Sequence, residues 1–425
     1  MIIEKHKLYI NLIIAVLWVS GCVGFVFDEL LPFLEPIKSP ILFFCDIIML
    51  FIGVSVLRNR IDIAFIAFFI AITSYSSIYL NGNGFTSYIN GFRDFMPLLF
   101  YPPIFRYFLE EDGRMFDLKF SLMRFIKHFL ILQIPCTVYQ FVLYGAGDLV
   151  GGSLGHYNSG ILTTMIIAGV FTLLYLSVDQ NSILKSIIKS RTIFLFLLPA
   201  FLNETKVIFI FLILMGFFLI KIDRRIVFKV LLFIPVMCVL LIFSFYIYLF
   251  FTGNTGDILS IDYYSEMYLM NSQSVEYAKY LSVNEGLTED VPRLTKIIEG
   301  FSLLLEENRL LWGFGIGQFK GGTTMGLTSF AQEYDWLLYG SVPYMFFLFI
   351  QGGLLICIWV AFWWLFNFRS LTENEQINSK LFVLSLFGVI LLYNDSFRNI
   401  LMTFVLLFIF FVIDKVKSLS SNSTN

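Results

Sequence analysis

The sequence predicts an all-α polytopic membrane protein. It would have about 12 transmembrane helices, including two short-helix hairpins, and one large, partly helical extracytoplasmic loop. Three observations predict this. Of the 425 residues, 58% are hydrophobic and 14% charged, against roughly 25% charged in a soluble globular chain. Apolar runs of spanning length recur from one end of the sequence to the other. Lys and Arg are spread unevenly over the connections between those runs. No soluble core of this length hides so much apolar surface, so composition excludes a soluble enzyme, a disordered chain and a DNA-binding protein. The 29 basic and 31 acidic residues give a net charge of −2, which supplies no basic field for nucleic acid. Cys22, Cys45, Cys136, Cys238 and Cys357 each sit in an apolar run and form no CxxC pair. They read as small core hydrophobes, so neither a disulfide framework nor a zinc site is expected.

A spanning helix needs about 20 mostly apolar residues. Segments 8–27, 40–57, 61–80, 91–109, 125–144, 159–178, 226–251 and 336–366 qualify. The first lacks a small-residue cleavage site after a short apolar core and reads as a retained helix. Two further apolar stretches are interrupted. Residues 192–220 carry Asn203-Glu204-Thr205-Lys206 in their middle, and residues 380–413 carry Tyr393-Asn394-Asp395-Ser396-Phe397-Arg398-Asn399. Lys185, Lys189 and Arg191 precede the first stretch, and Lys221, Arg224, Arg225 and Lys229 follow it. Cytoplasmic connections are enriched in Lys and Arg, so both flanks read as cytoplasmic and the polar tip as outward. Lys415 and Lys417 give the second stretch the same reading. The result is twelve spans with both termini inside, with 20 Lys/Arg in the cytoplasmic segments and 9 in the outer ones.

The chain then divides into helices 1–9 (residues 1–251), an outer loop (252–335) and helices 10–12 with a short tail (336–425). The 84-residue loop has 12 acids and 5 bases, and loops of such length are usually functional. Within it, residues 293–305 have a helical period that places Leu294, Ile297, Ile298, Phe301, Leu304 and Leu305 on one face. Asp290 can cap this helix, and Pro292 suits its first turn.

Several residues are candidates for chemistry. Arg293 opens the loop helix, where the dipole disfavours a cation. It reads either as a solvated surface residue or as an anion receptor whose planar fork matches phosphate oxygens. About twenty residues later come Gly313, Gly315 and Gly317, in Trp-Gly-Phe-Gly-Ile-Gly-Gln-Phe. Their spacing fails the dinucleotide fingerprint, which leaves a tight turn or a phosphate cradle. Glu333 and Asp335 stand before the tenth span. Glu204 and Lys206 at the first tip, and Arg398 at the second, are charges at membrane depth, where charge is costly and usually paired or functional. His156, beside Asn158 in Gly-His-Tyr-Asn-Ser-Gly, reads as a general base or a polar loop residue. Arg93, beside Asp94, reads as part of an outer polar cavity or as an interfacial anchor.

Taken in order, these features resemble the O-antigen polymerase and ligase superfamily. The loop Arg followed by Leu-Leu-Trp-Gly-Phe-Gly-Ile-Gly-Gln-Phe (310–319) is similar to that superfamily's Arg-led loop helix and glycine segment. Leu202-Asn203-Glu204-Thr205-Lys206 resembles its tip between two short helices, although Thr-Lys stands where ligases usually carry Ser-Arg. Glu333-Tyr334-Asp335-Trp336-Leu337-Leu338-Tyr339-Gly340 resembles the pattern of Wzy-type polymerases, and the His-Asn pair of ligases is missing. The resemblance covers nearly the whole chain.

It implies a glycosyltransferase of the bacterial inner membrane that polymerises repeat units carried on undecaprenyl pyrophosphate into O-antigen or capsular polysaccharide. It implies no metal, no cofactor and no nucleotide sugar, and it implies membrane lipids, a chain-length regulator and a flippase as partners. On this reading Arg293 is the principal cation, with Lys206 and Arg398 in support. Glu333 is the first choice of base, then His156 or Asp335. Glu204, Arg93, Asn158 and the three glycines are further substrate contacts. The rivals are a ligase, which shares the chemistry, and a lipid-linked oligosaccharide flippase. The absent His-Asn pair argues against the first. The single asymmetric loop without an evident repeat argues against the second.

Overall fold

A computed structural model describes residues 4–177, 190–203, 207–219, 270, 272–281, 291–319, 328–369 and 378–417. The fold is all-α, with no strand among the described residues. Among the described residues six helices are long and apolar enough to cross a membrane: α1 (Lys5–Leu30), α2 (Pro32–Val56), α3 (Arg60–Leu80), α6 (Asp112–Tyr144), α7 (Ser159–Ser177) and, late in the chain, the apolar part Tyr344–Phe368 of α14 (Tyr344–Arg369). Six of the predicted spans correspond to these. The predicted span 226–251 lies outside the described residues, as does Asp290, the expected cap of the loop helix.

The predicted span 91–109 is not one helix. Phe85–Phe92 forms α4, a 3-10 turn covers Arg93–Phe95, and α5 runs from Met96 to Leu109. Pro97 falls in the first turn of α5, where a missing N–H costs nothing and a new helix starts readily. The turn leaves Arg93 and Asp94 at a bend instead of in a lipid-facing wall.

Both interrupted stretches fold back on themselves. Arg191–Leu202 (α8) and Ile208–Leu219 (α9) flank the first tip. Ser190 bonds Ser177 at the foot of α7, Asn203 bonds Ser159 at its head, and Phe218 accepts from Asn378 near the foot again. In the second, α15 (Asn378–Tyr393) and α16 (Ile400–Phe408, continued by a π turn to Ile413) run antiparallel, since Ser379 donates to the Ile409 carbonyl (3.1 Å). Every residue from Ile400 to Ile413 is buried. A helix apolar all round belongs inside the bundle, and this one is its central post.

Three polar groups mark one end of the bundle. Arg106 of α5 donates to Asp62 of α3 and to Asn367 of α14. The second tip, the loop before α7 and the loop helix α11 (Arg293–Glu306) gather at the other end; a short helix, α10 (Ser272–Tyr280), precedes α11. The bounds of α11 match expectation, but its buried face does not. Lys296, Ile297, Gly300, Leu303 and Leu304 face the protein, while Leu294, Ile298, Phe301 and Leu305 are exposed. Gly300 decides the rotation, because a Cβ there would meet Phe346 of α14 at 2.6 Å. Pro292 stands at the N-cap, one position before the helix, and not inside its first turn.

Candidate functional site

The glycine segment is a clamp between helices. Gly313, Gly315 and Gly317 all have left-handed φ values, of 65°, 85° and 104°. A Cβ on Gly317 would meet the Ser87 carbonyl at 2.3 Å, and one on Gly313 would meet the Gly352 and Gly353 amides at 2.7 Å. Only glycine fits such backbone-to-backbone contact. The amides nearby are already engaged: Phe314 N donates to the Ile350 carbonyl (2.8 Å), Ile316 N to Ser77 Oγ (2.7 Å) and Gly317 N to Gln351 Oε1 (2.6 Å). Helix α14 breaks at Gly353 (φ 58°) to receive the segment, and Leu354 N donates to the Leu310 carbonyl. Of the two readings of this segment, the geometry is that of the tight turn. The three glycines are buried and line neither of the cavities described below, and Gly313 N and Gly317 N are bonded to the Arg309 carbonyl and Gln351 Oε1. What they position is Phe319, which does line a cavity.

That cavity is a cleft of about 820 Å³ at the end of the bundle opposite Arg106. Its walls come from the loop before α7 (Asp148 and Tyr157–Ile161), the start of α11 (Arg293), the turn before α14 (Leu338–Val342) and the second tip (Tyr393–Asp395, Arg398). Residues some 250 positions apart in the chain thus share one space. The volume lies in the range of small-molecule sites.

Arg293 reaches it from the first position of α11. Its Nη2 donates to Ser341 Oγ (3.1 Å), and its Cζ lies 4.5 Å from the Tyr393 ring centroid. No carboxylate pairs with it among the described residues. One turn on, Lys296 is fully buried and its Nζ donates to the carbonyls of Tyr339 and Ser341. Lys296 therefore fixes the wall that Arg293 touches. Arg398 is held differently. Its Nη1 donates to Asp395 Oδ2 (2.6 Å), its Nη2 lies 3.4 Å from Asp94 Oδ2, and its Cζ sits 4.7 Å from the Phe347 ring centroid. The tip is locked locally: Asn394 Oδ1 accepts from Ser396 N and Oγ, and Asn399 Oδ1 caps α16 by accepting from Met402 N.

Three nitrogen donors on these residues are buried without an acceptor among the described residues: Arg293 Nε, Arg398 Nε and Asn394 Nδ2. Buried donors are nearly always satisfied, and each orphan calls for an explanation. Here three such donors belong to residues on the walls of one cleft, beside a guanidinium that no described carboxylate neutralises. Tyr157, Phe319, Tyr339 and Tyr393 add aromatic faces. Tyr157 is 80% exposed and holds φ at 61°, a conformation uncommon for a bulky residue and often functional.

A second cavity, of about 210 Å³, adjoins the first through Asn158 and Arg398, which line both. Arg93 lies there, with Nε and Nη2 each 2.6 Å from Asp46 Oδ2, and Lys38 sits 2.7 Å from Asp28 Oδ1. The cations of this cavity are neutralised by acids, whereas Arg293 in the larger cleft is not.

His156, Glu333 and Asp335 line neither cavity. His156 points its Nε2 at Glu29 Oε1 (2.7 Å), and its backbone N donates to Asp28 Oδ2, which ties the loop to α1. It lines neither cavity, nor do Glu333 and Asp335, which are exposed at the junction of α12 (Ser329–Glu333) and α13 (Asp335–Leu338). Glu333, the first choice of base, therefore lines neither cavity; the cleft wall that follows it in the chain begins at Leu338. Tyr334 between them is pushed up to about 12 by burial and by the nearby Glu333 and Glu307, so its phenol stays protonated. Glu204 and Lys206 lie outside the described residues, although Asn203 anchors their tip by donating to the Ser159 carbonyl beside the cleft (3.0 Å). Sequence reading missed Lys296, Asp148 and Asn394. Asp148 is exposed at the cleft rim, accepts from Ser159 Oγ (2.8 Å) and is held by no cation among the described residues. No group of three His, Cys, Asp or Glu among the described residues could hold a metal ion. No family model matches the chain, and no curated protein matches it.

Proposed function

We propose that the chain is a glycosyltransferase of the bacterial inner membrane that polymerises oligosaccharide repeat units carried on undecaprenyl pyrophosphate. Both termini would be cytoplasmic and the cleft would face outward, where flipped lipid-linked units arrive from a flippase and a chain-length regulator acts on the product. The observation that carries this reading is the cleft itself: an arginine without a carboxylate partner among the described residues, two further residues with buried donors and an aromatic wall, at one end of an apolar bundle.

In the reaction the bond between the anomeric carbon and the pyrophosphate oxygen breaks. An acceptor hydroxyl forms the new glycosidic bond and gives up its proton. Negative charge grows on the leaving oxygens, and preorganised cations stabilise it, often as the largest single contribution to rate. Arg293 supplies that charge, and Arg398, already oriented by Asp395 and Asp94, supports it. Asp148 takes the acceptor proton, since it is the cleft carboxylate that no cation among the described residues neutralises. The aromatic side chains bind the apolar faces of the sugars.

The test is the glycan ladder of a deletion strain complemented with variants. Arg293→Ala should leave the protein at normal abundance and reduce the ladder to a single repeat unit. Losing such a contact costs about 3–4 kcal/mol of barrier, roughly a hundred- to thousandfold in rate. Arg293→Lys should rescue poorly, because an ammonium lacks the planar fork. A full ladder in the Ala variant would remove the proposal. Loss of even the single surface unit in the deletion strain, with lipid-linked units accumulating inside, would assign transport instead.

A further inference from the structure

We propose that the groove between α1 and α6 binds the headgroup of an anionic phospholipid, independently of the reaction in the cleft. The groove holds about 400 Å³, with Asn11 and Trp18 on one wall and Ser121, Arg124, Phe125 and His128 on the other.

The first argument is charge. Arg124 has no hydrogen bond or ion pair from its guanidinium among the described residues, whereas Arg106 pairs with Asp62 and Arg114 with Glu111. No carboxylate lines the groove. Asn11 and Ser121 add neutral hydrogen-bonding groups at the same place. A phosphodiester offers what these side chains lack: a negative charge with several acceptor oxygens.

The second argument is level. Helix α6 carries Lys119, Arg124, Lys127 and His128, and from Phe129 to Tyr144 it has no charged residue. The groove therefore sits where the charged part of the helix gives way to the apolar part, which is headgroup depth. Its upper wall suits acyl chains. Trp18 packs edge-on to Phe125 (5.0 Å between centroids) and beside Phe129 (6.3 Å), so midway along α1 the indole is a fixed apolar surface against which an acyl chain can lie. His128 is fixed as well, with Nδ1 2.7 Å from the Arg124 carbonyl. A carbonyl only accepts, so Nδ1 carries a proton, and this bond fixes the ring on the groove wall. Basic pockets between membrane helices at this level are where anionic headgroups bind.

The experiment uses the full chain in lipid nanodiscs and reads tryptophan fluorescence as lipids with brominated acyl chains are added. Phosphatidylglycerol is compared with phosphatidylcholine, and the Trp18 signal is the difference between wild type and Trp18→Phe. Phosphatidylglycerol should quench that signal at a mole fraction where phosphatidylcholine does not. Arg124→Gln, an exposed position that should not disturb folding, should raise the required fraction roughly fivefold, the effect of one basic residue at a membrane surface. Equal quenching by the two lipids, or an unchanged midpoint in Arg124→Gln, would overturn the proposal. Relief of quenching by millimolar inorganic phosphate would also overturn it and assign the groove to a soluble anion.

Discussion

Arg293 and Arg398 share a cleft, but only one is committed to protein carboxylates. That difference separates an ionic receptor from a structural pair, and it extends to the acids. Asp395 is spent on Arg398, while Asp148 keeps its carboxylate at the rim. Asp148→Asn is therefore expected to lower polymer yield on the order of a hundred- to ten-thousandfold, the usual contribution of a general base. Glu333→Gln should keep a normal ladder. Comparing the two ladders at equal membrane abundance decides the base, and the reverse pattern would restore Glu333. Arg293 was legible in the sequence because a cation at a helix start is anomalous. Asp148 was not, because an acid in a glycine-rich loop has no signature until the chain folds. Lys296 misled for a different reason: helical periodicity assigns lysine to the wet face, and here a buried ammonium satisfies two carbonyls.

The elements were more legible than the residues. Apolar runs and their basic flanks gave the long helices and both hairpins, because backbone satisfaction in lipid leaves few alternatives. The glycine segment shows the limit. Its three glycines are visible in the sequence as a turn, but the helices they meet are not. A steric comparison tests the clamp. Gly317→Ala adds a Cβ 2.3 Å from the Ser87 carbonyl as well as a strained φ, and should cost about 2–4 kcal/mol of stability. Gly82→Ala has φ at 64° but open space around it, and should cost only about 1–2 kcal/mol. Thermal midpoints in detergent would rank them, and equal losses would mean that conformation alone matters. In α11, burial and the neighbouring Glu306 raise the Glu299 carboxyl above its ordinary value of 4.5, against a smaller opposing effect of Lys279. The folded state then holds the proton more tightly than the unfolded one, so stability should fall as pH rises from 4.5 through the raised value. Glu299→Gln should flatten that part of the profile, and an unchanged slope would exclude the residue.

At the scale of the molecule, the cleft works as proposed only if its end of the bundle faces outward. The two ends differ chemically. One carries the turn between α5 and α6, with Glu110 and Glu111 beside Arg114, and the Asp112–Lys415 pair (3.6 Å). The other carries the cleft and its exposed tyrosines. The excess of Lys and Arg in the connections at the first end argues that it is cytoplasmic. A labelling experiment measures this directly. In a background without the five cysteines, Tyr157→Cys and Glu111→Cys are both exposed and lie at opposite ends. A membrane-impermeant maleimide added to intact spheroplasts should modify the first and spare the second, and detergent should open the second. The tip residues themselves are poor reporters: Asn203 and Ser396 are buried (2% and 0% exposed), so silence there would say nothing about sidedness. Labelling of Glu111→Cys in intact cells with Tyr157→Cys protected would place the cleft in the cytoplasm. The lipid-linked donor would then have to react before it is flipped, and a polymerase on the outer face would no longer describe this chain.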